Sequence, residues 1–210
     1  MPELPLTKTP PPNPYAEAPR LPDTDSVDPR ALVGAEGPIE LEIGPGRGGF
    51  LYERLAEDAS VCMVGLEIRR KWATIVDRRL AERGYGGRAR VFAEDARQAL
   101  RRFVAESVSR VYVHFPDPWW KKRHHKRIVV GAPLLDDIAR VLVPNGEVFV
   151  QTDVEERAAA FEMLFDAHAA FAPHAGSARV TEYPFGARSP RERRALADGL
   201  PVFRLRYQRR

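Results

Sequence analysis

The chain has 210 residues, of which 44% are hydrophobic and 30% charged, with a formal net charge of +4 and a pI near 9.4. That length can bury one proper core, and no apolar run approaches the roughly 20 residues that span a bilayer. The one cysteine, Cys62, lies in an apolar stretch, which excludes a disulfide framework. The amino terminus shows no apolar h-region of a signal peptide, so the cytosol is the expected compartment.

Residues 1–30 hold nine of the nineteen prolines and little apolar periodicity, which predicts a flexible arm ahead of a single domain over residues 31–210. Asp28 or Ser26 is placed to cap a short helical turn before Gly34. Ile39–Ile43 reads as a strand, followed by Gly44-Pro45-Gly46-Arg47-Gly48-Gly49 and a helix over 48–57. Residues 61–66 are continuously apolar and end in Glu67, the pattern of a strand buried on both faces. A helix over 70–83 stops at Gly84-Tyr85-Gly86-Gly87. A strand over 89–93 is closed by Asp95, with a helix over 96–104 behind it. Residues 110–115 form the next strand. A helix over 134–142 ends at Pro144-Asn145-Gly146, a strand over 147–151 is closed by Thr152-Asp153, and a helix over 154–170 follows. Two strand candidates remain, 179–183 and 201–208. Strands alternating with helices predict an α/β fold: a mostly parallel, seven-stranded, doubly wound sheet with helices on both faces and an antiparallel carboxyl-terminal edge.

The chemistry concentrates at the strand ends, where open α/β sheets bind their ligands. Glu42, Glu67, Asp95, Asp117 and Asp153 fall there in successive units. Gly44 and Gly46 permit a tight turn and close approach of a ligand to the backbone. Glu67, about twenty residues downstream, is placed to accept both hydroxyls of a ribose. A nicotinamide cofactor and S-adenosylmethionine both satisfy this much. Glu94-Asp95-Ala96 adds an acid where an adenine amino group would lie, which suits an adenosine bound without a pyrophosphate. After the strand over 110–115, Pro116 and Pro118 bracket Asp117 in a stiff loop. Trp119 and Trp120 follow, then the cationic run Lys121, Lys122, Arg123, Lys126 and Arg127 with His124 and His125 inside it. An acid, two indoles and a basic run suit an enzyme acting on a nucleobase, with the phosphate backbone arriving at the lysines. The histidines lack metal-ligand spacing, so no metal is expected. Residues 188–210 hold eight arginines against Glu192 and Asp198, a candidate phosphate-facing patch.

G-P-G-R-G, G-L-E, E-D-A, F-P-D-P-W with K-x-R-H-x-K-R behind it, and Q-T-D together resemble the tRNA (guanine-N7)-methyltransferases, over about residues 39–207. The resemblance implies a Rossmann-like class I methyltransferase fold that uses S-adenosyl-L-methionine to methylate a guanosine in the tRNA variable loop, position 46 of the tRNA. It implies that Glu42, Glu67, Asp95 and Asp117 contact the cofactor or frame its pocket beside Gly44 and Gly46. It also implies that Lys121, Asp153 and Ser189-Pro190-Arg191-Glu192 contact the guanosine and its tRNA. The family has Thr-x-Phe/Tyr-Glu at that last segment, and this chain departs from it with Ser189 and Arg191. A monomer or a homodimer, with tRNA and no membrane as partner, completes the expectation.

Guanine N7 carries an in-plane lone pair and no proton, so its attack on a sulfonium methyl needs no general base. Asp117 is therefore cast as the catalytic group that positions the reactants and stabilises moving charge. Asp153 is suited to accept hydrogen bonds from guanine N1–H and the N2 amine. Trp119 and Trp120 either stack on the flipped base or pack under the loop. Two other readings stay open from the residues alone. The F-P-D-P-W loop distantly resembles the loop with which amino-methyltransferases hold an exocyclic base amine, although consecutive prolines are absent here. A non-catalytic RNA-binding module on a degenerate Rossmann-like fold is the other, against which Gly44, Gly46 and Glu67 remain intact. A dehydrogenase leaves the cationic loop unexplained.

Overall fold

In the computed structural model residues 13–34, 36–116, 130–182 and 184–210 are described. Strands β1 (Ile39–Ile43) and β2 (Cys62–Leu66) are buried at every position, because helices cover both faces of the sheet they build. β3 (Ala89–Phe92), β4 (Val108–His114) and β5 (Leu142–Thr152) extend that sheet in parallel. β6 (Phe171–Pro173) and β7 (Phe203–Arg209) close it with antiparallel pairing. The order is β3-β2-β1-β4-β5-β7-β6, so the winding reverses between β1 and β4. The crevice at such a reversal is where a doubly wound sheet binds its ligand.

Six α-helices are present among the described residues: α1 (Gly49–Glu57), α2 (Arg70–Glu82), α3 (Ala96–Arg102), α4 (Ala132–Val141), α5 (Glu155–Asp166) and α6 (Pro190–Ala197). Two apolar layers result. Phe50, Leu51 and Leu55 of α1 and Val76 and Leu80 of α2 pack with Met63, Val91, Tyr112 and Phe149 on one face of the sheet. Leu100, Leu134, Ile138, Phe161 and Phe165 of α3, α4 and α5 pack with Leu41, Val64, Val111 and Val148 on the other. No helix of the described residues is long and apolar enough to cross a membrane.

Asp28 caps a 3₁₀ turn over Pro29–Leu32, accepting from Arg30 N at 2.9 Å. Ahead of it the chain runs along the β3 edge: Ala93 N donates to Pro19 O at 2.7 Å and Val27 N to Arg102 O at 2.7 Å. Leu21 and Val27 enter the core, each burial contributing about 1.5–3 kcal/mol.

Three elements differ from the sequence expectation. The sixth strand is Phe171–Pro173, not 179–183; Arg179 makes only an isolated bridge to Leu205, along the same outer edge of β7 that β6 occupies. A three-residue strand ending in proline leaves no alternation to read, and proline is tolerated because that edge donates nothing outward. β5 begins at Leu142, because Pro144-Asn145-Gly146 forms a bulge within the strand instead of ending the element. Helix α6 replaces what read as an arginine-rich tail: Ser189 caps it by accepting from Glu192 N at 3.2 Å, and Pro190 sits at its first position.

Candidate active site

A cleft of about 320 Å³ opens at the carboxyl ends of β1, β4 and β5. Its wall on one side is the loop between β1 and α1. Gly44 adopts φ +73° and an added Cβ there would meet nothing within 4 Å, so its backbone is bare toward the space in front of it. Gly48, at φ +75°, has the opposite reason to be glycine: a Cβ would stand 2.5 Å from Val76 Cγ1. Gly46 N donates to Glu67 Oε2 at 2.9 Å, which ties the loop to the end of β2. On the opposite wall Phe115 leaves β4 at φ +47°, a left-handed conformation costing on the order of 1–2 kcal/mol for a non-glycine residue. Its N–H still donates to Gln151 O at 2.8 Å, so the chain turns away over the cleft only after the sheet is complete.

The cleft gathers Glu42, Gly44, Asp153, Ser189, Pro190 and Arg191 of the residues singled out from sequence. Glu42 is 3% exposed; its Oε1 accepts from His114 Nδ1 at 2.9 Å, and its Oε2 has no partner among the described residues. Glu67 is equally buried and accepts from Gly46 N, Arg69 N and Arg69 Nε. Asp95 does not line the cleft. It caps α3 and holds Arg97 at 2.6 Å, and hydrogen bonding from that guanidinium leaves its carboxyl below the ordinary value. Asp153 pairs with Arg191 at the rim, at 2.5 Å. With Arg191 59% exposed, that pair contributes less than about 1 kcal/mol to stability. Glu192 stands behind the wall, fully buried against Arg204 of β7 at 2.6 Å. Asp117, Trp119, Trp120, Lys121 and the remainder of the cationic run through Arg127 lie outside the described residues.

Two sets of residues escaped the sequence reading. His114 was visible only as a polar residue alternating with Val113; its contact with Glu42 arises from the neighbouring strands β1 and β4, which no local pattern reports. Glu53 and Glu57, one turn apart on α1, hold the segment ahead of α6. Gly186 N donates to Glu57 at 2.7 Å and Arg188 N to Glu53 at 3.0 Å, while Arg193 pairs with Glu53 at 2.6 Å. Burial acts to raise the Glu53 carboxyl, and the bonds from Arg193 and Arg188 outweigh it, so the group sits below its ordinary value. Ser189-x-x-Glu192 with proline at the first helical position was the sequence signal for α6 itself.

Five of the eight arginines over 188–210 have carboxylate partners among the described residues. Arg191, Arg193, Arg204, Arg206 and Arg209 pair with Asp153, Glu53, Glu192, Glu147 and Glu106. Arg191 and Arg193 keep 59% and 56% of their side chains exposed, whereas Arg204 is 9% exposed, so the pairing withdraws the β7 arginines from solvent more than those of α6. Among the described residues no group of three or more His, Cys, Asp or Glu side chains could hold a metal ion.

The residues present fit S-adenosylmethionine. A bare glycine backbone meets an adenosyl group closely, a buried carboxylate ends β2 where a ribose is expected, and the orphaned Glu42 Oε2 calls for a cation or a donor.

Residues 36–205 match the family model described as "Putative methyltransferase". The tRNA (guanine-N(7)-)-methyltransferase of Synechococcus sp. (strain JA-3-3Ab) is 36% identical over 82% of this chain and 73% of its own length. That of Anaeromyxobacter dehalogenans (strain 2CP-C) is 39% identical over 84% of this chain and 89% of its own. The crystal structure of the 16S rRNA methyltransferase KamB superposes with a TM-score of 0.58 at 18% identity, covering 86% of this chain and 90% of KamB, a likeness of fold. With its sheet order, its glycine loop and its cleft at the strand reversal in agreement, the chain belongs to the tRNA (guanine-N7)-methyltransferase family.

Proposed function

We propose that the chain transfers the methyl group of S-adenosyl-L-methionine to N7 of a guanosine in the variable loop of tRNA. The observation that carries this reading, beside family membership, is the cleft: the glycine loop and the buried Glu42 on one side, with Glu67 tied to that loop from behind through Gly46 N, and Asp153, Ser189 and Arg191 on the other. When bound, the cofactor supplies an electrophilic methyl on a sulfonium. Gly44, Gly46, Glu42 and Glu67 hold it on the β1–β2 side. Asp153 meets the Watson–Crick edge of the guanine from the β5 side, once that edge takes over from Arg191. With no proton to remove from N7, these groups work by alignment, which supplies several kcal/mol, and by fixed charge. Asp95 frames the adenine side from the head of α3. Asp117, Lys121 and Ser189–Glu192 take the positioning and tRNA-contacting roles that the family resemblance implies.

The test is methyl transfer from labelled cofactor to unmodified tRNA, followed by borohydride and aniline cleavage. N7 methylation makes the imidazole ring cationic and open to these reagents, so a strand break in the variable loop is expected. Label without a break would move the methyl to another atom and replace this reading with the exocyclic-amine one. No label, with cofactor binding intact, would remove tRNA as the substrate.

A further inference from the structure

His114 lines the cleft, and the proposed reaction does not use it. It follows Tyr112 by two positions on the same face of β4, and Tyr112 lies opposite Glu42 in the parallel register of β1 and β4. Its side chain is 4% exposed and that of Glu42 3%. The ring is clamped on two sides, with Phe50 at 4.3 Å between centroids and Tyr112 stacked at 5.7 Å and 18°. A carboxylate can only accept, so the 2.9 Å contact assigns the proton to His114 Nδ1. That bond occupies Oε1 and leaves Oε2 buried and without a partner among the described residues, on a residue that lines the cleft. Buried carboxylate oxygens are ordinarily paired; Glu192 Oε2 also lacks a partner among the described residues, but of the two residues only Glu42 lines the cleft.

We infer that His114 is a positioning residue for the cofactor: it fixes the Glu42 carboxylate so that Oε2 faces a cationic centre of S-adenosylmethionine. The inference rests on the proposed function for the identity of the cofactor. The alternative is a histidine that merely fills space beneath the site. The two differ in what the nitrogen's position should matter. Asparagine places its Nδ2 where histidine places Nδ1, two bonds beyond Cβ. Glutamine places its nitrogen one bond farther out and cannot reproduce the contact.

The experiment measures calorimetric dissociation constants of the full chain for S-adenosylmethionine and S-adenosylhomocysteine, with thermal midpoints as a check on folding. His114→Gln and His114→Phe should each weaken binding about 10-fold or more, and His114→Asn should stay within about 3-fold of wild type. Glu42→Gln should weaken it similarly, and Glu42→Gln combined with His114→Gln should be no weaker than either alone, because both act through one carboxylate. A loss confined to S-adenosylmethionine would place Oε2 at the sulfonium, since the homocysteine product lacks that charge. An equal loss for both would place it at the α-ammonium. Variants that all bind as wild type would overturn the inference, as would losses that multiply in the double variant or an asparagine variant as weak as glutamine. A wild-type chain that binds neither compound would overturn the proposed function together with it.

Discussion

Glu40 and Glu42 sit two residues apart on the same face of β1, 2% and 3% exposed, yet their surroundings are opposites. Glu40 accepts from Arg54 Nε at 2.9 Å and Nη2 at 2.8 Å, from Arg110 Nη1 at 2.9 Å and from the Tyr112 hydroxyl at 2.7 Å. Arg110 and Arg206 then share Glu147, and Phe185 lies over the Arg110 guanidinium at 4.7 Å. Burial, with Glu40 beside it, pushes the Tyr112 phenol well above its ordinary value, so it stays a donor. Among the described residues Glu42 has one donor and one bare oxygen. The deeper carboxylate is closed on itself and locks β1, β4, β5, α1 and β7 together, whereas the outer one keeps an acceptor in reserve. The same residue type on one strand thus serves as architecture at one position and lines the cleft with an oxygen unpaired among the described residues two positions later.

The comparison breaks most visibly at its closed end. Glu40→Ala strands Arg54 and Arg110 without their buried counter-ion and should cost about 3–5 kcal/mol. In thermal unfolding that is a fall of roughly 10 °C or more for a domain this size. A fall of only a degree or two would show that Glu57, Asp58 and Glu147 can carry the network alone. The next effect lies between the two regions, where α1 meets α6. A Cβ on Gly49 would stand 2.2 Å from Pro190 Cγ, so Gly49→Ala must push α6 aside at a strain of about 1–3 kcal/mol. The expected result is a kcat/KM for tRNA at least about 10-fold lower with the cofactor dissociation constant little changed. Equal losses for both substrates would place the disturbance in the glycine loop instead.

Glu42→Gln sharpens the contrast from the open end. It removes a buried charge that is only half satisfied, so the thermal midpoint should hold or rise by a few degrees. A large fall in the midpoint would make Glu42 a second Glu40. The smallest effect concerns Asp95, held below its ordinary value by Arg97. A depressed carboxyl contributes stability that is present above the unfolded value, near 4, and lost as pH falls through the folded one. Asp95→Asn keeps a capping side chain but loses the ion pair. Wild type should therefore exceed the variant by less than about 1 kcal/mol at neutral pH, with the gap closing in acid. A gap unchanged down to strongly acidic pH would mean the ion pair does not contribute.

Much of this arrangement was legible in the sequence because it is local. Strands such as 61–66 announce burial on both faces by unbroken apolar runs, and acids at strand ends announce the cleft. Of those acids Glu42 and Asp153 line the cleft beside the glycine loop, Glu67 and Asp95 stand outside its lining, and Asp117 lies outside the described residues. What stayed hidden depends on contacts between distant residues. The charges of Arg204, Arg206 and Arg209 looked available until Glu192, Glu147 and Glu106 were seen against them. His114 and Glu42 are 72 positions apart, and only the β1–β4 pairing brings them together. Helix α6 is the exception: its Ser189-Pro190-x-Glu192 start was readable, and the density of arginines drew attention away from it.

β7 has a consequence for how the protein is made. It is the last described element in chain order, yet it lies inside the sheet, between β5 and β6. Through Arg204 it also anchors Glu192, and with it the wall that carries Ser189 and Arg191. During synthesis the β1–β5 half can form early from near neighbours. The wall that carries Ser189 and Arg191 must wait until residues 203–209 have emerged and threaded between strands already made. A nascent or truncated chain lacking residues 203–209 would therefore have one wall of the cleft before it had the other.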